Sequence, residues 1–255
     1  MKRRLLIAAL ALATSMGAMA DEVAAPANPA VSEKTYAAVS LISDALEIVV
    51  ARGETGSNLP TKVNRIALPT PDFDTVALLA IKDAFEKKGT EKPVVLMRSS
   101  EKMYSEQKDL LSGTKFKGVA GLDAALSASK ITHLVVITKY RDKAILKLSN
   151  MSVGSGRLQG LGFYLDYQFK IENTNDYEKG TGFLAPYAYF KVSLVDVATS
   201  TVTKEVNVTA GRVMAASTKT AGSSDPWASL SDAEKDKLLR DMVQNEVSKA
   251  VSSFL

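Results

Sequence analysis

The stretch that decides the fold is residues 187–208, which read YAYFKVSLVDVATSTVTKEVNV. Over residues 188–195, every second side chain belongs to one apolar face, the period of two that is typical of a strand with one buried side. Residues 196–200 (DVATS) have the composition of a turn, and residues 201–208 are rich in β-branched side chains. The stretch therefore predicts a β-hairpin, onto which we expect the rest of an α/β (α+β) fold to pack.

Ahead of this hairpin, the sequence predicts helices and strands in alternation. We expect a helix to begin at Ser32, because four apolar side chains follow at helical spacing: Tyr36, Val39, Ile42 and Leu46. Residues 47–51 and 63–68 have the composition of strands. A second helix should follow, with Thr70 as its N-cap and Pro71 at its first helical position, where the missing N–H is harmless.

The pattern continues with further strands and helices. Residues 93–97 (PVVLM) form a short continuous apolar run, as expected for a strand covered on both faces. Residues 101–111 and 121–129 predict two helices. Residues 131–138 (ITHLVVIT) predict a strand, which we expect to pair with residues 144–148 across a turn. This order of elements predicts a mixed sheet flanked by helices.

The C-terminal part predicts one long helix. Ser231 and Glu234 have the spacing of a capping box, which marks its start. One face of this helix is apolar and should pack on the domain, because most helical stripes belong to a core. The stripe consists of Leu239, Met242, Val243, Val247, Val251 and Phe254.

The N-terminus has the three parts of a cleavable signal peptide, which we assign to residues 1–20. Three basic residues are followed by an apolar run and by a small-x-small cleavage site before Asp21. The apolar run is shorter than the roughly 20 residues that a membrane span needs. Residues 21–31 are rich in Ala and Pro and predict a flexible leader, so residues 32–255 remain as a single α/β domain. We therefore expect export to a bacterial periplasm.

Removal of the signal peptide lowers the net positive charge of the chain. The full chain has 32 basic and 28 acidic residues, a net charge of +4. The first 20 residues hold three of the basic and none of the acidic ones, so 29 basic and 28 acidic residues remain, a net charge of +1. This balance gives no case for a nucleic-acid partner. The chain also has no cysteine, which excludes disulfides, thiol catalysis, thiolate metal sites and a lipidated N-terminal cysteine.

The sequence contains no clear motif of a catalytic, cofactor-binding or metal site. We therefore predict no catalytic residue, no cofactor-binding residue and no metal ligand. His133 is the only histidine, and inside a predicted strand we expect it to be a hydrogen-bonded structural residue. Asp72 and Asp74 fit the first turn of a helix better than a calcium loop. The glycines of residues 154–162 miss the spacing of a dinucleotide-binding loop and predict a flexible connection.

The stretch most suggestive of an interaction lies in a Gly- and aromatic-rich excursion at about residues 149–186. Residues 163–171 alternate as an amphipathic strand with an aromatic-rich apolar face. We expect this strand to belong to a hairpin that packs on its own domain or on a neighbouring subunit, with insertion into a membrane as the alternative. The predicted interaction surface consists of Phe163, Tyr164, Leu165, Asp166, Tyr167 and Phe169.

The order of elements over residues 63–208 resembles the α/β domain of curli-secretion-channel lipoproteins and the N-terminal domain of the Tol-system β-propeller protein. In those families an alanine-rich helix and a strand precede a glycine-bearing excursion and a strand that ends in a V-D-V-x-T-G-like turn. Here the turn is residues 195–200 (VDVATS), with no glycine. The resemblance implies an α/β fold and leaves the function open.

Together these patterns predict an exported, non-enzymatic periplasmic protein of the cell envelope, which binds or helps to assemble a partner. We expect a protein partner or self-association through the exposed β-ribbon, with no cofactor. One alternative is a carboxylate-dependent hydrolase, with Asp72, Asp74, Asp166 and Asp176 as available carboxylates. The other alternative is a subunit of an oligomeric outer-membrane secretion channel. Two carboxylates that converge in one pocket would favour the hydrolase.

Overall fold

The computed structural model describes residues 34–51, 62–89, 93–118, 121–172, 179–215 and 225–255. The strands in these ranges are β1 (Tyr36–Leu41), β2 (Ala45–Val50), β3 (Lys62–Ala67), β4 (Val95–Leu96), β5 (Leu111–Ser112), β6 (Lys115–Phe116), β7 (His133–Lys139), β8 (Arg141–Lys143), β9 (Leu146–Leu148), β10 (Met151–Val153), β11 (Arg157–Glu172), β12 (Lys179–Asp196), β13 (Thr201–Gly211) and β14 (Met214–Ala215). The helices are α1 (Asp72–Lys87), α2 (Glu101–Leu110), α3 (Leu122–Ala128) and α4 (Asp232–Ser252), with a 3-10 turn at Pro226–Ser229.

Strand β12 holds two half-sheets together. Its residues 179–189 pair antiparallel with β11, and its residues 190–196 pair antiparallel with β7. Along its other side, residues 187–196 pair with β13. The β-hairpin predicted from residues 187–208 is therefore confirmed, and it lies at the centre of a mixed sheet.

The two half-sheets extend from β12 through different strands. One half-sheet has the order β4–β1–β7–β12, in which β4, β1 and β7 run parallel to one another. The other has the order β3–β2–β11–β12, in which β2 is parallel to β11. Only Ile42, Ser43 and Asp44 separate β1 from β2 in the chain. The chain therefore passes from one half-sheet to the other at these three residues.

Helices and short strands cover the two faces of the sheet in three clusters. Helices α1 and α4 pack together and cover one face of both half-sheets. On the opposite face, α2 and α3 cover the β4–β1–β7 half-sheet. The segment with β9 and β10 covers the β11 half-sheet on that same face. The opposite face therefore has two separate covers, and the line between them is called the seam below.

The prediction of a helix that begins at Ser32 is wrong over the described residues, which form strands β1 and β2. Five of the six β1 residues are buried, because α1 lies on one face of this strand and α2 and α3 lie on the other. A strand that is buried on both faces is apolar throughout. Its apolar residues therefore matched helical spacing as well as strand spacing, and the pattern did not distinguish the two.

Other local predictions need correction as well. Strand β4 was expected to be covered on both faces, but Val95 and Leu96 are 42% and 37% exposed. Strand β9 pairs with β10 and not with β7, which lies between β1 and β12. Pro71 rather than Thr70 is the N-cap of α1. The glycines were assigned to a connection, yet β11 begins at Arg157, so the last of them lie inside a strand.

The C-terminal helix has the predicted start and the predicted packing. Ser231 is the N-cap of α4, and both hydrogen bonds of its capping box with Glu234 are present. Its apolar stripe contacts the sheet and α1, and all of the stripe except the half-buried Met242 is buried. Residues 34–255 form one compact unit. The predicted signal peptide and leader lie outside the described residues.

Candidate functional site

A polar cleft of about 490 Å³ lies at the seam. Its walls are Asp44, Glu47, Arg65, Glu101, Tyr104, Ser105, Gln107, Lys108, Lys139 and Gln159. In open α/β sheets, ligands bind beyond the carboxyl ends of parallel strands, where the strand order reverses. Strand β1 is such a point, because β4 and β7 follow it in the chain and pair with its opposite sides. The position of the cleft therefore makes it the candidate functional site.

The carboxylate of Asp44 holds two cations in this cleft. It contacts the Lys139 ammonium group at the end of β7 and the Arg65 guanidinium group on β3. The Lys139 side chain is only 5% exposed. Because charged groups are rarely buried without a partner, the Lys139–Asp44 contact is what allows this lysine to lie inside the protein.

Gly160 leaves the space that the Lys139 side chain occupies. A Cβ atom at Gly160 would lie 3.1 Å from Lys139 Cδ, and the φ angle of Gly160 is +66°. Both the close approach and the left-handed backbone favour glycine here. One glycine of the stretch first interpreted as a flexible connection therefore shapes the wall of the cleft.

Glu47 is a second carboxylate in the cleft. It lies opposite Arg65 in the β2–β3 pairing and is half-buried. Burial raises the pKa of Glu47, whereas the nearby charges of Lys139, Arg65 and Arg141 act in the opposite direction. Asp44 and Glu47 therefore share one cleft but have different surroundings.

A buried network next to the cleft fastens α1 and α2 to the end of β1. The Asp74 carboxylate accepts hydrogen bonds from Ser40 Oγ at 2.5 Å, from the Ile42 N–H at 2.9 Å and from the Tyr104 hydroxyl group. The Asp74 N–H donates to Ser43 Oγ at 2.6 Å. Tyr104 also lines the cleft. The network therefore positions one wall of the site.

The same network shifts the pKa values of its members. Burial raises the pKa of Asp74, although the hydrogen bonds it accepts act to lower it. The pKa of Tyr104 is raised by burial and by its hydrogen bond to Asp74. Asp72 and Asp74 both lie in the first turn of α1, as predicted. Besides its favourable position at the N-terminus of α1, Asp74 joins α1 to β1 and α2 through its side chain.

The six residues predicted as an interaction surface do not form one surface. Phe163, Tyr164 and Leu165 are buried in β11, so they belong to the core. Phe163 and Leu165 pack toward α1 and α4, whereas Tyr164 packs toward β9 and β10. The surface prediction is therefore wrong for these three residues, because both faces of β11 are covered at this point.

The other three predicted residues lie farther along β11. Tyr167 is 44% exposed, and Asp166 and Phe169 are half-buried. Asp166 accepts hydrogen bonds from the N–H groups of Gln168 and Phe169, at 2.8 and 2.9 Å, where the pairing with β12 is irregular. This irregularity turns Phe169 toward Phe183, on the Tyr164 side of the sheet. An interaction through Asp166, Tyr167 and Phe169 stays a prediction.

The remaining candidates do not line the cleft. His133 lies at the other end of β7, where its Nδ1 is 2.9 Å from Thr132 Oγ1 and burial lowers its pKa. The expected hydrogen-bonded strand residue is confirmed. Asp72 Oδ2 lies 3.8 Å from Arg240 Nη2, and Asp176 lies outside the described residues. Within the described ranges, no group of three or more His, Cys, Asp or Glu side chains could hold a metal ion.

No sequence motif marks the residues of the cleft. Asp44 and Lys139 are polar residues that follow apolar strand segments, residues 36–42 and 131–138. In an α/β fold, polar residues at the ends of parallel strands indicate a site. That signal was hidden at Asp44, because the preceding strand had been interpreted as a helix.

Comparisons with known proteins identify similar structures but no family. No family model and no curated protein matches the chain. A DUF330 family protein from Xanthomonas campestris has 12% identity and a TM-score of 0.40, over 91% of this chain and 88% of that chain. The PelC dodecamer from Paraburkholderia phytofirmans has 9% identity and a TM-score of 0.31, over 88% and 89%. A homologue of the neuraminyllactose-binding hemagglutinin from Helicobacter pylori has 8% identity and a TM-score of 0.40, over 85% and 87%.

None of these three similarities reaches the level at which a family or a function follows from it. The resemblance to curli-channel lipoproteins and to the Tol propeller protein stays a prediction, since these comparisons do not bear on it.

Proposed function

We propose that the protein is exported to the periplasm and acts in the cell envelope as a non-enzymatic binding protein. Its ligand site is the cleft at the seam, and its ligand is a small molecule that carries one positive and one negative charge. The observation that supports this proposal is the balance of charge in the cleft. Three acidic and three basic side chains line it, namely Asp44, Glu47, Glu101, Arg65, Lys108 and Lys139.

The charge balance favours a zwitterion over a singly charged ligand. A simple anion would approach three carboxylates, and a simple cation would approach three basic groups, so each would meet repulsion as well as attraction. A ligand with separated charges satisfies both sets at once. The volume of about 490 Å³ is in the range of small-molecule sites. Free amino acids and dipeptides have this chemistry.

Export rests on the order of charged, apolar and small residues at positions 1–20. The described helices do not include one with the length and apolar character of a membrane span.

Isothermal titration of the chain without residues 1–20 tests the ligand class. The probes are glycine and Ala-Ala as zwitterions, with acetate and methylammonium as singly charged controls. We expect binding of a zwitterion, a loss of at least about tenfold in affinity in Glu47→Gln and Arg65→Gln, and no change in Lys191→Met. Lys191 is a suitable control because it forms an ion pair with Glu205 outside the cleft. Equal affinity for acetate and glycine, or equal affinity in all variants, would contradict the proposal.

A carboxylate-dependent hydrolase is the second candidate. The observation that favours it is that Asp44, Glu47 and Glu101 line the same cleft. A half-buried carboxyl group with a raised pKa, as in Glu47, is suited to donate a proton, while Asp44 lies between two cations. Asp72, Asp74 and Asp166 are three of the four carboxylates that the sequence offers for this chemistry, and they do not line the cleft.

A screen against chromogenic ester, glycoside and phosphoester substrates separates the two candidates. The hydrolase predicts turnover that Glu47→Gln abolishes and that Asp166→Asn leaves unchanged. The binding protein predicts no turnover above that of buffer, together with the zwitterion binding described above.

A further inference from the structure

The outer edge of β13 has no strand partner over most of its length in the described part of the chain. On its inner side, β13 pairs with β12 from Thr201 to Gly211. On its outer side, it pairs with β6 only at Thr201, and the Val202 N–H donates to the Thr114 carbonyl group at 2.8 Å. From residue 203 to residue 210, the outward main-chain groups meet no described strand, and the edge ends where Arg212 forms a bridge with Lys147 of β9. Such an edge is a template for another extended segment.

Helix α4 converts this edge into a groove of about 780 Å³. Strand residues 206–212 form one wall, and a row of α4 side chains forms the other. Val206, Val208 and Ala210 face α4, and Met242 and Ala250 lie across from them. A groove between a sheet edge and a helix gives an added strand both main-chain hydrogen bonds and apolar contacts for alternate side chains. The groove is therefore shaped for an extended peptide.

The charges of the groove select the kind of peptide. Its described lining includes three basic residues, Lys147, Arg212 and Lys249, and one acidic residue, Glu246. Lys249 and Glu246 pair with each other at 2.6 Å. Lys147 and Arg212 are both exposed and lie side by side, because their backbones form a bridge. The excess positive charge favours an acidic segment.

The same charges argue against a second copy of this chain as the occupant. Strand β3 is the other long open edge of the described sheet, and its side chains are all exposed. It carries Lys62 and Arg65 and no acidic residue. Insertion of β3 into the groove of another copy would bring these cations toward Lys147 and Arg212, which is unfavourable.

We propose that an extended, acidic segment of a protein partner adds to the outer edge of β13, in the groove between β13 and α4. This site is separate from the cleft, so it does not rest on the ligand proposed there. It assigns a location and a chemistry to the protein partner that the sequence predicts.

Fluorescence anisotropy with a labelled model peptide of about nine residues tests this proposal. The peptide alternates Val and Glu, and the protein is the chain without residues 1–20. We expect saturable binding that weakens at least about tenfold in the double variant Lys147→Glu and Arg212→Glu. The matched double variant Lys82→Glu and Lys102→Glu, with both substitutions on exposed helix surfaces, should bind like the wild type. Thermal unfolding checks that both double variants remain folded.

Two further peptides separate an added strand from simple charge attraction. A Val-Glu peptide with N-methyl groups on alternate amides should lose binding, because it keeps the charge but loses main-chain donors. A Val-Lys peptide should bind at least about tenfold more weakly than the Val-Glu peptide. Equal binding of the N-methylated or Val-Lys peptide, equal affinity of the two double variants, or concentration-dependent self-association abolished by Lys147→Glu and Arg212→Glu would each overturn the proposal.

Discussion

The Lys139 ammonium group contacts the Asp44 carboxylate in the cleft at the seam. Lys139 ends β7, and Asp44 lies between β1 and β2, so this ion pair joins the carboxyl ends of two parallel strands to the start of the other half-sheet. Arg65 contacts the same carboxylate from β3. The same ion pair therefore contributes both to the stability of the sheet and to the charge of the cleft.

Lys139→Met should lower the free energy of unfolding by about 1–3 kcal/mol, because the largely buried Asp44 carboxylate loses one of its two cations. Chemical denaturation measures the change. Lys191→Met is the matched control, since its ion pair with Glu205 is more exposed, and its loss should stay below about 1 kcal/mol. Adding Asp44→Asn to Lys139→Met should cost less than the sum of the single changes. Equal losses for both lysine variants, or additive losses in the double variant, would contradict this prediction.

Asp74→Ala should destabilise the protein by about 2–4 kcal/mol, because it leaves Ser40 and Ile42 with buried donors and no acceptor and removes the hydrogen bond from Tyr104. Asp74→Asn keeps one carbonyl oxygen as an acceptor and should lose less. Urea unfolding of the two variants gives the order. An Asn variant that is less stable than the Ala variant would show that the network does not depend on acceptors at this position.

The raised pKa of Asp74 predicts that its contribution to stability decreases as the pH rises. Between the ordinary aspartate value of about 4 and the higher value in the folded protein, the native state keeps a proton that the unfolded state has lost. The free energy of unfolding therefore falls with rising pH through this window. The difference between wild type and Asp74→Asn should be most favourable to the wild type below about pH 4 and should decline above it. A difference that grows as the pH rises would mean that folding lowers this pKa.

Gly160→Ala should destabilise the protein more than Gly89→Ala. Both glycines have a left-handed backbone, with φ angles of +66° and +71°. Each alanine variant should therefore have the same backbone strain, about 1–2 kcal/mol. Only at Gly160 would the new methyl group meet a neighbour, the stem of Lys139, whereas no atom lies within 4 Å at Gly89. The difference in thermal stability between the two variants measures the cost of the contact between the new methyl group and Lys139. Gly160→Ala should also weaken ligand binding in the proposed cleft. Equal losses in stability would show that Lys139 moves aside without cost.

A strong local pattern predicted α4, in which one face is buried and the other is not. The hairpin of residues 187–208 also lies where it was expected, but its β12 strand is buried on both faces, so the single buried side predicted for residues 188–195 is wrong. Strand β1 is buried on both faces, so its sequence lacks the alternation that would have identified it. Val95 and Leu96 show the opposite case, since an apolar run at the edge of a half-sheet is exposed.

The cleft could not be predicted from local patterns, because distant segments build it. Asp44, Arg65 and Lys139 meet only through the pairing of β1 with β7 and of β2 with β3 and β11. Each of these residues is an ordinary surface charge when the sequence is considered alone. The choice of Phe163, Tyr164 and Leu165 as a surface failed for a related reason. Their alternation indicated a strand but not that covers lie on both of its faces.

Strand β12 has a consequence for the rigidity of the cleft. Binding proteins made of two lobes commonly close around a ligand by bending at a hinge between the lobes. Here the two half-sheets share one strand of 18 residues, hydrogen-bonded on both sides across the place where a hinge would have to bend. Closing the cleft by such a motion would break the pairing of β12 with its neighbours. A ligand of the proposed cleft would therefore meet a preformed site, and its selectivity would come from the fixed positions of the charges and not from closure.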